Sequence, residues 1–169
     1  MGMGEIMERG VTLIPLITPV DMQTGDNQSD WFTLRDFERA LIVLYKGIGT
    51  AGQDPIFTLL QGTSSAGAGS KALKISKVRS KVGATLLSAI ADFSVHTQAA
   101  ADTYVDTVSA ENEAMICVDV GAQDLDVQNG FSWLSLDIPD VGGNAQIGCA
   151  LAFVYDGRFA QATPPSPIS

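Results

Sequence analysis

The stretch AMICVDVGAQDLDVQNGFSWLSLDIPDVGGNAQIGCALAFVY, residues Ala114 to Tyr155, carries three apolar runs with a period of two. AMICVDV sets Ile116, Val118 and Val120 on one face. FSWLSLDI sets Leu134, Leu136 and Ile138 on one face and Phe131 and Trp133 on the other. IGCALAFVY sets Ile147, Cys149, Leu151, Phe153 and Tyr155 on one face. Side chains of an extended chain alternate between its two faces, so this spacing predicts three strands with one face buried. Asn129-Gly130 and Gly142-Gly143 fall between the runs, where a reversing chain needs residues tolerant of positive φ. The expectation is antiparallel sheet, with these three strands forming half of a sandwich core.

Upstream, the same signals recur. VTLIPLITPV contains Pro15 and Pro19, which forbid a continuous helix and suit an edge strand or extended segment. DMQTGDNQSD is a polar loop, and residues 1–30 together read as an extended arm. TLRDFER is expected to start a helix, with Thr33 as cap and Asp36 at the third helical position. ALIVLYK, β-branched and aromatic, reads as a buried strand. DPIFTLLQG is a short strand, GTSSAGAGSK a flexible loop, and KALKISKVRSKVG a strand with a basic face. TLLSAIADFSVHTQ fits helix and strand templates equally, and AAADTYVDTVSAENE reads as a short strand and a loop. QATPPSPIS is a proline-rich tail, extended and peripheral. Seven to nine short strands without alternating long helices predict an all-β fold, an antiparallel β-sandwich or jelly roll. The expected organisation is an arm over 1–30, a sandwich over 31–160 and a tail over 161–169.

Composition narrows the function. With 169 residues, 46% of them hydrophobic and 17% charged, the chain is one folded domain with a real core rather than a disordered segment. No apolar run approaches the ~18 residues of a membrane helix. The opening MGMGEIMERG lacks the basic front of a signal peptide, and Ile6 breaks the myristoylation pattern. Asn27-Gln28-Ser29 matches a glycosylation acceptor but reads as a surface loop. The net charge of −9 is uneven: −4 over residues 1–54, +5 over 55–91 and −10 over 92–169. Such acidity disfavours nucleic acid as the main partner, because phosphate contacts need a dominant basic surface. Cys117 and Cys149 lie on expected strands and read as buried free thiols of a reducing cytosol, with a cross-strand pair as the alternative.

The motifs that carry chemistry elsewhere fail their tests. Gly47-Ile48-Gly49-Thr50-Ala51-Gly52 matches GxGxxG after a strand, but no Asp or Glu occurs between Pro55 and Ala91 to hold a ribose. A glycine-rich turn between strands is the better account. Gly62 to Gly67 has phosphate-loop spacing, but Ala68 stands where the lysine belongs. Asp119, Asp124, Asp126 and Asn129 are acidic enough for calcium, yet the distal ligand position is Ser135, so a solvated edge is expected. Two cysteines and His96, the one histidine, cannot complete a standard zinc site. His96 is read as structural, and nothing near it resembles a nucleophile elbow. No catalytic, cofactor or metal site is expected, and the chain is read as a non-enzyme.

The basic run is different. Lys77, Arg79 and Lys81 alternate, so a strand places them on one face, with Lys74 just upstream. Like charges side by side repel unless compensated, by the chain's own acidic half, another copy or a partner; a merely solvated face is the default reading beside these. Lys74, Lys77, Arg79 and Lys81 are the candidate partner-contact residues.

Three segments, DFERALIVLYKGIGTAGQDPIFTLLQGTSSAGAGSKAL (36–73), AENEAMICVDVGAQDLDVQNGFSWLSLDIPDVGGNAQIGCALAFVYDGRF (110–159) and the proline-ended tail, together resemble small virion structural proteins of tailed bacteriophages, of the head decoration or cement type. The resemblance implies a β-sandwich or jelly-roll module, made in the host cytoplasm, that binds the outside of an assembled capsid and stabilises it against internal DNA pressure. It implies the major capsid protein as partner, a homo-oligomer with a trimer favoured, and no cofactor, nucleic-acid or membrane contact. Related modules occur in phage tails and connectors, which leaves that placement open. A carbohydrate-binding β-sandwich on the virion surface is the other alternative, and would need an exposed aromatic platform.

Overall fold

The computed structural model describes residues 10–83, 93–105, 112–140, 142–157 and 168. Its strands are β1 (Thr12–Asp21), β2 (Asn27–Gln28), β3 (Phe32–Thr33), β4 (Phe37–Lys46), β5 (Ile56–Gly62), β6 (Lys71–Ala72), β7 (Ile75–Gly83), β8 (Ser94–Ala101), β9 (Thr103–Val105), β10 (Glu113–Gly121), β11 (Trp133–Ile138) and β12 (Ile147–Gly157). The excess over the expected count comes from β2, β3, β6 and β9, of two or three residues each. The front sheet has the order β1-β12-β4-β10-β7-β8. The back sheet has the order β2-β11-β5-β6, with β3 also on β11 and β9 also on β5. Every pairing is antiparallel. The two inner faces share one apolar core, so the protein is an all-β sandwich.

The three C-terminal strands do not form a single half of it. β10 and β12 lie in the front sheet on either side of β4, whereas β11 lies in the back sheet. The connections between them are therefore crossovers from sheet to sheet. Asn129-Gly130 closes no hairpin; Gly130, at φ +84°, ends a 3₁₀ turn over Val127–Asn129 and donates its N–H to the Val127 carbonyl at 3.0 Å.

Inward-facing residues follow the expected spacing in β10 and β11. Ile116, Val118 and Val120 are buried, as are Leu134, Leu136 and Ile138. In β12 the expectation is reversed. Gly148, Ala150, Ala152 and Val154 face the core, while Cys149, Leu151, Phe153 and Tyr155 sit half-buried on the outside and Ile147 is exposed. The cause is volume. A Cβ on Gly148 would stand 2.7 Å from both Sδ and Cε of Met22, whose side chain already fills that interior space.

Two N-terminal expectations change. Extended over Thr12–Asp21, the chain is not a detached arm: β1 pairs with β12 and buries Ile14, Leu16 and Ile17, and β2 pairs with β11. A boundary at residue 31 has no counterpart in the topology, since strands before it belong to both sheets. Residues 1–9 and 161–167 lie outside the described residues. No helix begins at Thr33 either. Its hydroxyl accepts from the Arg35 amide and donates to the Ser132 carbonyl, each at 3.1 Å. Pairing to β12 from Phe37, and to β10 as well from Arg39, overrides any local helical preference. The TLLSAIADFSVHTQ stretch is strand from Ser94, and residues 84–92 lie outside the described ones.

Candidate functional site

The outer face of the front sheet is where side chains of chemical interest gather. Register places them in rows across five strands, β1, β12, β4, β10 and β7. One row runs Leu13–Phe153–Leu41–Asp119, a second Pro15–Leu151–Val43–Cys117–Arg79, and a third Cys149–Tyr45–Met115–Lys81. The first three strands thus supply a continuous apolar panel, left open to solvent: Leu13 is 43% exposed and Tyr45 38%. Leu41, Val43, Leu151 and Phe153 are half-buried, against one another rather than under a second layer. The panel exists because β4 and β12 are apolar at nearly every position. Strands of that kind are ordinarily covered on both sides.

One margin of the panel is polar and internally satisfied. Arg39 donates from Nη2 to Asp119 Oδ2 at 2.5 Å and from Nε to Asp119 Oδ1 at 3.2 Å. Tyr155 donates its hydroxyl to the same Oδ1 at 3.0 Å and accepts from Arg39 Nε at 3.2 Å. The Asp119 hydrogen bond, reinforced by Tyr155, raises the Arg39 pKa further above its ordinary range. Partial burial raises the Tyr155 phenol.

An adjoining margin is cationic. Lys77, Arg79 and Lys81 share the outer face of β7, with Arg79 beside Cys117 and Lys81 beside Met115. Among the described residues none of the three forms an ion pair. Lys74 does not join this column. It lies before a register shift, on the crossover into β7, and bonds Asp102 at 2.6 Å. Burial pushes the Cys117 thiol up to about 11, against a smaller downward pull from Arg79. Cys117 and Cys149 are both free; they stand on opposite sides of β4, opposite Val43 and Tyr45.

Other sequence candidates fall into structural roles. The His96 ring nitrogen Nε2 lies 2.7 Å from Ser80 Oγ, and its ring stands 6.0 Å from that of Tyr104. Ser80 is 2% exposed, so this pair cannot present a nucleophile to a substrate. The acidic loop consists of two 3₁₀ turns, not a strand: Asp124 Oδ2 accepts the Gly121 amide at 2.8 Å, and Val127 is exposed although Leu125 is buried. Asp126 takes Lys71 at 2.5 Å and the Asn129 amide at 2.9 Å, and Lys71 holds its carboxyl below the usual range. Among the described residues no group of three or more His, Cys, Asp and Glu is placed to hold a metal ion. GTSSAGAGSK is a tight reversal between β5 and β6, closed by Thr63 N to Ala68 O at 3.0 Å. The Trp31 ring lies on its backbone; a Cβ on Gly67, at φ +69°, would meet that ring at 2.5 Å. Its glycines admit an aromatic ring, not a phosphate.

The cationic half of this surface was readable from alternate spacing in SKVRSK. The apolar half was missed, although its signal was present: Ala150, Ala152 and Val154 made β12 apolar on both faces. Among the described residues no helix is long and apolar enough to cross a membrane.

No protein-family model matches the chain, and no curated protein matches it. Among solved structures, the chain is similar to a Clostridium thermocellum endo-1,4-β-D-xylanase with CBM22-1 and GH10 modules, complexed with xylohexaose. The identity is 10% and the TM-score 0.37, with 91% of this chain and 27% of that chain covered.

Proposed function

We propose that this chain is a structural protein of a tailed-phage particle. It seats the outer face of its front sheet on the outside of the assembled capsid, as a homo-oligomer, and stabilises the shell. The phage assignment rests on the resemblance of residues 36–73 and 110–159 to head decoration proteins. The observation that carries the contact surface is the continuity of the open apolar panel with the column Lys77, Arg79 and Lys81. Panels of this kind supply the desolvated centre of an interface, and unpaired rim cations supply orientation and encounter rate. An acidic shell surface is the complement they require. Repetition over a lattice lets many modest contacts act together. The part played by the protein in this reading is mechanical, with no turnover and no cofactor.

The test is co-sedimentation of purified protein with shells lacking it, beside sedimentation equilibrium for the trimer. Saturable binding that raises the shells' melting temperature supports the reading. Binding should fall at least about tenfold in Phe153→Asp and in Arg79→Glu while the fold persists. Folded protein that binds no tailed-phage capsid sinks it.

A further inference from the structure

The front sheet forks. β7 and β10 pair from Gly83–Glu113 to Arg79–Cys117, and there the ladder ends. Beyond it β10 continues to Gly121 paired to β4 alone, and β7 runs back to Ile75 paired to β8 alone. Among the described residues, Val118–Val120 of β10 and Ile75–Val78 of β7 thus face one another across a gap, without ladder partners on those sides. The gap opens into a cleft of about 580 Å³ that reaches Leu59 and Gln61 of the back sheet. Its floor is apolar, from the buried Leu73, Ile75, Val118 and Leu125. Its far end is spanned by Lys71 bonding Asp126 at 2.5 Å, with the Lys71 ammonium 4.3 Å from the Phe131 ring centroid.

A pair of strand edges left without ladder partners beside a cleft is a template for an added strand. The charges around the cleft select its sequence. Asp119 is held by Arg39, Asp124 by the Gly121 amide, Asp126 by Lys71, and Lys74 by Asp102. Among the described residues, the charges without an ion pair at the mouth are cationic: Lys77, which lines the cleft, and Arg79 beside it. We infer that the β7–β10 fork is an acceptor for a short extended peptide of acidic character, supplied by a partner protein and added as a strand against Val118–Val120. The free edge of β10 is about 10–13 Å long at strand rise, which sets the docked segment at three or four residues. The peptide's backbone would pair with the strand edge, one set of alternate side chains would enter the apolar floor, and the other set, acidic, would meet Lys77 and Arg79. The cleft shares Lys77 and Arg79 with the rim of the apolar panel, but the inference does not depend on the capsid reading.

The test uses the full chain and the capped hexapeptide Asp-Val-Asp-Val-Asp-Val. Two controls accompany it: the same peptide N-methylated at alternate residues, and its Lys-Val counterpart. Hydrogen exchange read by NMR should show new protection at Val118–Val120 and Ile75–Val78 on adding the acidic peptide. N-methylation should abolish that protection, since it removes the donors without altering charge. Lys77→Glu should weaken binding about tenfold, and the Lys-Val peptide should bind Lys77→Glu better than wild type. Equal binding of the N-methylated peptide, or protection elsewhere only, overturns strand addition. Protection that rises with protein concentration alone would make a second copy the occupant and overturn the partner assignment.

Discussion

β11 and β12 are neighbours in the chain and share the same alternating pattern, yet they put it to opposite uses. In β11 the large residues Leu134, Leu136 and Ile138 face inward and are fully buried. In β12 the inward positions are Gly148, Ala150, Ala152 and Val154, and the large residues Leu151, Phe153 and Tyr155 look out. The alternation identifies both segments as strands. It does not say which face turns inward, because that depends on interior space already taken, here by Met22 against Gly148. A strand spelled with small residues on one face and large ones on the other has two possible inner sides, and the packing partner chooses.

Substitutions can break or sharpen this contrast. The largest effect is expected in β11: Leu136→Ala removes a fully buried side chain and should cost about 2–5 kcal/mol of stability by urea denaturation. A cost comparable to that of an exposed site would refute the inward assignment. Next comes Ala152→Leu, which forces volume into the small-residue face of β12. It should cost about 1–3 kcal/mol, whereas Val43→Leu on the outer face should stay within about 0.5 kcal/mol. The reverse order would put the core on the other side of the front sheet. Phe153→Ser should lower stability by about 1 kcal/mol, reflecting a side chain only partly withdrawn from water. Its loss of shell binding should be far larger than that.

The smallest effect concerns pH. The Cys117 thiol is held in its neutral form by burial, with its pKa moved from 9.0 to about 11. A raised acid pKa means the unfolded chain loses its proton first. The associated stability is complete below pH 9.0 and is lost as pH rises through about 11. The stability of wild type relative to Cys117→Ala should therefore fall between pH 9.0 and about pH 11. A constant difference across that window would show Cys117 to be more exposed than described.

Most of the sandwich was legible one strand at a time. Ile116, Val118 and Val120, and the β11 triplet, announced their inner faces by spacing alone. Sheet membership was not legible, because a turn signal such as Asn129-Gly130 marks a change of direction without saying whether the chain returns to the same sheet or crosses to the other. The helix expected at Thr33 failed for a related reason: local capping chemistry is weak beside two full strand ladders on β4. Of the candidate surface, Lys77, Arg79 and Lys81 were visible as an alternating trio. Lys74, named beside them, precedes β7 and is engaged by Asp102. The apolar panel stayed hidden while Leu151 and Phe153 were assigned to the core, and the fork between β7 and β10 has no local sequence signature at all.

The pairing of β1 with β12 bears on how such a chain is made. Thr12 finds its partner at Val154, and among the described residues β12 is the only strand paired with β1. Until that late segment has been synthesised, Ile14, Leu16 and Ile17 belong to an unsheltered apolar strand, and loop closure over such a distance is slow. Pro15 and Pro19 interrupt the same strand with positions that have no N–H to offer a foreign edge. Two residues that look like flaws in a β-strand serve as a safeguard during that wait, keeping the segment from pairing with another chain before its own partner arrives.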